Sequence, residues 1–208
     1  MNAQLKQRIV SDEEFWALVE SSNERLEHVG GRVYAMAGGG YTHSRLILRL
    51  GSLLDVALRR KKCRPLGSEF FVQIESSGEK LLPDNVVHCE EPRFGSNGLT
   101  LLNPIVVFEV LSPATERYDR DDKFDLYARI PSLSDYVLIS QNFVRVSHFA
   151  RQKEGWLMRA FVGLDDVLHL PNIEVEISLR ELYDDMDVPL QFILFPQPES
   201  GQDPQESR

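Results

Sequence analysis

A carboxylate sits in the middle of a strand that has no polar face. Residues 105–111 read IVVFEVL, with Pro104 before them and Ser112 and Pro113 after. An unbroken apolar run of this length predicts a strand buried on both faces, which requires a sheet with covering layers on each side. Glu109 is the exception inside it. A charged carboxylate buried alone costs several kcal/mol or more, so another part of the chain must meet it with a cation, a proton or a metal. Asp84 is the best candidate partner. LLPDNVVH places this acid at the start of a second short apolar strand, 85–88, after a proline that fixes its entry. Two acids on neighbouring strands, with Lys123 close behind, can hold a hard divalent cation and activate a water. A lone buried Glu is more often satisfied by a core arginine or backbone amides; Asp84 and Lys123 reverse that balance.

The 208 residues suffice for one sizeable core, and no Pro/Gly/Ser-rich linker divides them. Residues 1–195 therefore read as a single domain and the polar, Pro-rich 196–208 as a disordered tail. The longest apolar runs are strand-length and the N-terminus has no apolar signal core, which predicts a cytoplasmic protein without a membrane segment. Cys63 and Cys89 have no CxxC spacing and no His at a zinc-like interval, so they read as small core or strand residues rather than a disulfide framework or a zinc site. The net charge of −9 argues against a broad nucleic-acid surface but leaves room for a local basic groove.

Along the chain, Ser11 and Glu14 have capping-box spacing ahead of a helix over 12–20. Gly30-Gly31 fits a two-residue turn between arms 25–29 and 32–36, with Glu27 on the first arm. The glycines at 38–40 lead through His43 into a helix over 44–61 whose buried side is a leucine-rich stripe. Arg59, Arg60, Lys61, Lys62 and Arg64 follow, either complementing the helix C-terminus or contacting phosphate. Strands are expected at 69–74, 85–88, 105–111 and 136–140, with a polar loop at 90–103 and a helix at 120–129 that carries Lys123. Alternation at 144–150 and 156–161 predicts an antiparallel hairpin, with further strands at 167–170 and 173–177 and a second capping box at Ser178 and Glu181.

Taken in order, RLEHVGGRVYAMA, His43, LLPDNVV, FEVLSPAT and DRDDKFDLYARIPSLSDYVLI resemble the Uma-type endonuclease family, a branch of the PD-(D/E)xK restriction-endonuclease-like superfamily, over about residues 25–139. The resemblance implies an α/β (α+β) fold: a central mixed sheet flanked by helices, an N-terminal hairpin and a C-terminal antiparallel extension, with the site at one end of the sheet. It matches Asp84 to the family's PD aspartate and Glu109 to the acid of ExK, both as metal ligands. Leu111 stands where ExK has lysine, and Lys123 matches the branch's displaced lysine. Glu27 matches the acid of the N-terminal hairpin, as a further metal ligand or an orienting group.

The expected catalytic set is therefore Glu27, Asp84, Glu109 and Lys123. Mg²⁺ or Mn²⁺ would be held by Asp84, Glu109 and the Val110 carbonyl, with Glu27 as the further candidate. The expected reaction is phosphodiester hydrolysis, in DNA ahead of RNA or a smaller phosphoester, by a homodimer that brings two centres to two strands. A nuclease-derived binding or regulatory module without turnover is the competing reading. His43 at a helix start reads more readily as a cap or core hydrogen-bonder than as a catalyst. Asp119, Asp121 and Asp122 read as helix-dipole partners, with Asp119 able to pair with Lys123.

Overall fold

The computed structural model describes residues 8–36 and 39–190. The expected tail, 196–208, and Gly38 of the glycine loop lie outside them. Ser11 and Glu14 form the capping box, each side chain bonding the other's backbone N–H, and start α1 (Asp12–Ser21). A hairpin follows, β1 (Leu26–Val29) and β2 (Arg32–Ala35), turned by Gly30 and Gly31 at φ 56° and 70°; two successive positive φ values are what glycine tolerates at no steric cost.

Next come α2 (Tyr41–Leu58), β3 (Arg64–Leu66), β4 (Phe71–Gln73), β5 (Lys80–Leu81), β6 (Asn85–His88), β7 (Thr100–Leu101) and β8 (Val106–Leu111). The second half holds α3 (Glu116–Arg120), α4 (Asp122–Tyr127), β9 (Asp135–Ser140), β10 (Val146–Arg151), β11 (Trp156–Phe161), β12 (Val167–Leu170), a 3₁₀ turn (Pro171–Ile173), β13 (Val175–Ser178) and α5 (Leu179–Leu182). No described helix is long and apolar enough to cross a membrane.

The central sheet is mixed and six-stranded, in the order β11-β10-β9-β8-β6-β3, with β8 and β9 parallel and the other pairs antiparallel. Its middle strands β8 and β9 are buried on both faces, as the IVVFEVL run requires. Val106, Phe108 and Val110 pack against α2 through Leu46, Leu50, Leu54 and Leu58, beneath the C-terminal β12–β13 sheet and α5. Val107 and Leu111 pack on the opposite face with Leu126 and Tyr127 of α4. The strand period of two therefore turns Glu109 toward α4. A second, five-stranded sheet, β2-β1-β5-β4-β7, carries the N-terminal hairpin and shares the α4-side core through Val72, Leu81 and Leu101.

Several local expectations are corrected. The disulfide Cys63–Cys89 replaces two independent core thiols: β3 and β6 pair with Arg64 opposite His88, so the next residue outward on each chain is a cysteine facing a cysteine. Linear spacing does not reveal a cross-strand register. The helix expected at 44–61 is displaced to Tyr41–Leu58, because Arg60 takes a left-handed φ of 69° that turns the chain into β3. The basic run thus lies beyond the helix: Arg64 donates to the Lys61 and Cys63 carbonyls, Lys61 to that of Glu174, and Arg59 pairs with Asp55. It lies at the end of α2 far from His43, roughly 25 Å away at 1.5 Å per residue. Ser178 precedes α5 without a side-chain cap bond. The loop at 90–103 contains β7. The helix expected at 120–129 is broken at Asp121, where φ and ψ are −111° and −86°.

Candidate active site

The register of the central sheet brings the two expected acids together. Asn85 on β6 pairs with Phe108 on β8, so one step outward Asp84 stands across from Glu109, and directly opposed residues of an antiparallel pair share a face. Asp84 is fixed there by its backbone neighbour: the Val110 N–H donates to Asp84 Oδ2 at 2.8 Å. On its other oxygen, Oδ1, Asp84 meets Arg25 Nη1 at 3.4 Å and lies 3.8 Å from His43 Nε2.

Lys123 is 1% exposed. Its ammonium lies 2.8 Å from Glu109 Oε1 and 3.0 Å from Glu27 Oε1, with Asp119 Oδ1 at 3.8 Å. Asp119, Lys123 and Tyr127 recur at four-residue intervals and all face the cluster; the Tyr127 hydroxyl donates to the same Glu109 Oε1 at 3.1 Å. Glu27, with no exposure at all, is committed on both oxygens. The Leu82 N–H donates to Oε1 at 2.9 Å and the Tyr118 hydroxyl to Oε2 at 3.1 Å. The rings of Tyr118 and Tyr127 lie 5.9 and 6.0 Å from the ammonium, close enough for weak cation–π attraction.

Asp84, Glu109, Val110 and Lys123 line one cavity with Arg25 and His43; its volume is about 20 Å³, room for about one water or one ion. Glu27 does not reach it. Among the described residues no three His, Cys, Asp or Glu side chains gather closely enough to hold a metal by themselves. What the cavity offers a cation is two carboxylates and a backbone carbonyl. That set suits Mg²⁺, which binds through one or two carboxylates and keeps several waters.

The charges favour a cation. Glu27, Asp84, Glu109 and Asp119 are all buried, against Lys123 and the half-buried Arg25. Burial pushes the Glu109 carboxyl well above its usual range; Lys123 opposes the shift, while Asp119, Asp84 and Glu27 add to it. For Lys123 burial works to lower the pKa, but Glu109, Glu27 and Asp119 outweigh it and hold the ammonium well above its usual range. Asp119 is raised, chiefly by burial. Burial lowers the His43 imidazole, with Asp84 opposing.

All four expected site residues thus lie in one connected cluster, with Asp84, Glu109 and Lys123 on the cavity and Glu27 behind Lys123. Of the two roles expected of His43, the cap falls to Gly40, while the imidazole is a buried core group that bonds the Val110 backbone and lies near Asp84, its Nδ1 left without a partner. A side chain at Gly39 would collide with its ring, 2.0 Å from Cδ2. Arg25, Tyr118 and Tyr127 were not expected. Arg25 had a signal, since it stands two residues before Glu27 and strand period places both on one face. The tyrosines had none, being ordinary helix residues until the fold places their hydroxyls.

Comparison with known proteins agrees with this architecture. The crystal structure of a "putative nuclease belonging to DUF820" from Anabaena variabilis superposes with a TM-score of 0.68 over 82% of this chain and 96% of its own, at 18% identity, a likeness of fold. Two Synechocystis sp. relatives, the uncharacterized proteins slr1290 and sll1609, are 34% and 31% identical over 175 and 179 residues, each alignment covering 84% of this chain and 91% and 96% of theirs. The model of the Uma2 family, described as "Putative restriction endonuclease", matches residues 12–181, and this chain belongs to that family.

Proposed function

We propose that this chain is a metal-dependent endonuclease that hydrolyses phosphodiester bonds in DNA. The observation that carries the reading is the opposition of Asp84 and Glu109 on one ion-sized cavity, beside a buried lysine, in a cluster richer in carboxylates than in cations. The description of its family as a restriction endonuclease and of the Anabaena neighbour as a nuclease supports it.

Asp84, Glu109 and the Val110 carbonyl would hold Mg²⁺ or Mn²⁺. When bound, the metal supplies a Lewis acid for the phosphoryl oxygen and lowers the pKa of a coordinated water. Lys123, locked between Glu109 and Glu27, keeps its proton and presents fixed positive charge toward the attacked phosphate. Glu27 acts as a positioning residue: with both oxygens committed, it holds Lys123 rather than a metal. Arg25, half-buried in the cavity lining and held by Asp84 and the Ser68 and Leu82 carbonyls, adds positive charge beside the site that would attract a phosphate oxygen of the substrate. Two copies of the chain would bring one centre to each strand of a duplex, in the cytoplasm.

The test pairs calorimetric titration with Mg²⁺ or Mn²⁺ and a cleavage assay on plasmid, single-stranded DNA and RNA at low salt, comparing wild type with Asp84→Ala and Glu109→Ala. Metal binding and cutting lost together in both variants is the expected result. Absence of metal binding by wild type would replace the enzyme with a non-catalytic binding module.

A further inference from the structure

A second and larger cavity, of about 490 Å³, adjoins the first. One wall is the N-terminal hairpin, with Tyr34; the other is a helical ridge running from Tyr118 through Asp122 and Asp125 to Arg129. Met36 and Thr115 line both cavities, so a strand whose phosphate meets the catalytic cavity borders directly on the groove. Tyr118 marks the seam, its hydroxyl bound to Glu27. The groove's volume falls in the range that encloses a small-molecule-sized group, and a stacked duplex is far larger.

The lining sorts the parts of a nucleotide. Asp122 and Asp125 are exposed and outnumber Arg129, the one cation lining the groove, so the groove is net negative and disfavours phosphate, whose other cationic partners, Arg25 and Lys123, lie around the first cavity. The groove therefore suits a base. Tyr34 leaves 40% of its surface open and offers a ring face for stacking, which suits any base. A carboxylate accepts a hydrogen bond from the exocyclic amine of cytosine, adenine or guanine, and thymine has no such amine.

We propose that this groove receives one unstacked base of the strand being cut, so that the preferred substrate is a single-stranded or locally unpaired polynucleotide, with amino-bearing bases favoured next to the cut. The inference rests on the nuclease reading for the location of the scissile phosphate. Binding is measured by fluorescence anisotropy in EDTA, where nothing is cut, on labelled oligo(dC), oligo(dT) and a blunt duplex; cleavage is measured separately with Mg²⁺. Oligo(dC) should bind more tightly than the duplex. Tyr34→Ala should weaken single-strand binding about ten-fold, the scale of one lost base stack, with the loss of cleavage falling on KM, and Tyr34→Phe should restore both. Asp122→Ala with Asp125→Ala should erase the preference for oligo(dC) over oligo(dT), read as the ratio of the two affinities, because losing two phosphate-repelling charges raises both. Unchanged binding in Tyr34→Ala, or a duplex bound as tightly as single strands, overturns the proposal. If the chain cuts and Tyr34→Ala keeps its KM, the groove assignment falls and the nuclease stands. If nothing is cut but Tyr34→Ala still weakens binding, the groove stands and the nuclease reading falls.

Discussion

Glu109 on β8 and Asp135 at the start of β9 are 3% and 0% exposed, on strands that run side by side in parallel, yet the fold surrounds them in opposite ways. Asp135 is met by donors. His148 Nε2 lies 2.6 Å from Oδ1, and the Ser134 hydroxyl and Asn172 amide donate to Oδ2 at 2.5 and 3.0 Å. Burial pushes its carboxyl up, but these hydrogen bonds outweigh it and hold the pKa below the usual range. Glu109 has one lysine and one tyrosine hydroxyl, both on a single oxygen, and three further buried carboxylates nearby raise its pKa. A buried acid that is fully satisfied serves the fold. One kept short of positive charge at a cavity is a candidate for a functional site, and that is the role proposed for Glu109.

The sharpest break of this contrast is a pair of substitutions. Glu109→Gln should abolish metal binding and lower cleavage on the order of a thousand-fold or more, by loss of electrostatic stabilisation, with stability unchanged or increased because a disfavoured charge is removed. Asp135→Ala should do the reverse. It takes the acceptor from three donors, the buried His148 and the less buried Ser134 and Asn172, at a cost of about 2–3 kcal/mol, read by urea denaturation, while metal affinity of the folded protein is retained. A Glu109→Gln protein that unfolds as readily as Asp135→Ala would make the two acids structurally equivalent and remove the argument for a site.

Lys123→Ala tests the cluster from the cationic side. Taken as a solvated helix lysine, this residue could be truncated with the fold intact; buried against Glu27 and Glu109 it cannot. Removing it should cost about 3–5 kcal/mol, the range for breaking a buried pair. The penalty should be larger at pH 8 than at pH 5, because protonation of the abandoned carboxylates relieves their repulsion. A stability loss under 1 kcal/mol, independent of pH, would place Lys123 outside the cluster.

The same residues show what the sequence carried and where it stopped. Glu109 and Asp84 were legible because a charge inside an apolar strand is a local anomaly that needs no tertiary information. The middle of the central sheet was legible for the same reason: β6, β8 and β9 lack a polar face. Asp135 was overlooked because it sits at a strand end next to Ser134, where an acid reads as a turn residue; only the β9–β10 register, which places His148 beside it, makes it a core group. Cys63 and Cys89 likewise meet through register. For Lys123 and Glu27 the resemblance supplied the residues. Their roles emerge from packing: the break at Asp121 separates α3 from α4, and the second sheet encloses Glu27 so that its oxygens are used up before any metal arrives.

The two carboxylates also give pH dependences of opposite sign. Glu109 has a folded pKa above its unfolded value, so it subtracts stability as pH rises from the unfolded pKa through the raised folded one. Asp135 has a folded pKa below its unfolded value, so its contribution is present above the unfolded pKa and is lost as pH falls through the depressed one. Mg²⁺ should therefore stabilise wild type more at pH 8 than at pH 5, by about 1–2 kcal/mol across the interval. Binding should release a proton, which calorimetry detects in buffers of different ionisation enthalpy. The pH-dependent gain should vanish in Glu109→Gln and persist in Asn172→Ala; a gain that disappears in Asn172→Ala instead would assign the linkage to the wrong acid.

The smallest effects come from deleting one hydroxyl beside each acid. Ser134→Ala removes one of three donors to Asp135 and should cost about 1 kcal/mol of stability, with nothing to see in metal affinity or cleavage. Tyr127→Phe removes one of two donors to Glu109 Oε1. It too should cost about 1 kcal/mol, but the loss of an oriented partner behind the carboxylate proposed to bind metal should also weaken Mg²⁺ binding about 10–100-fold. Similar chemistry is deleted in the two variants, so the difference in readout isolates the role of the acid. Equal, purely structural effects would mean that Tyr127 supports a carboxylate that no cation uses.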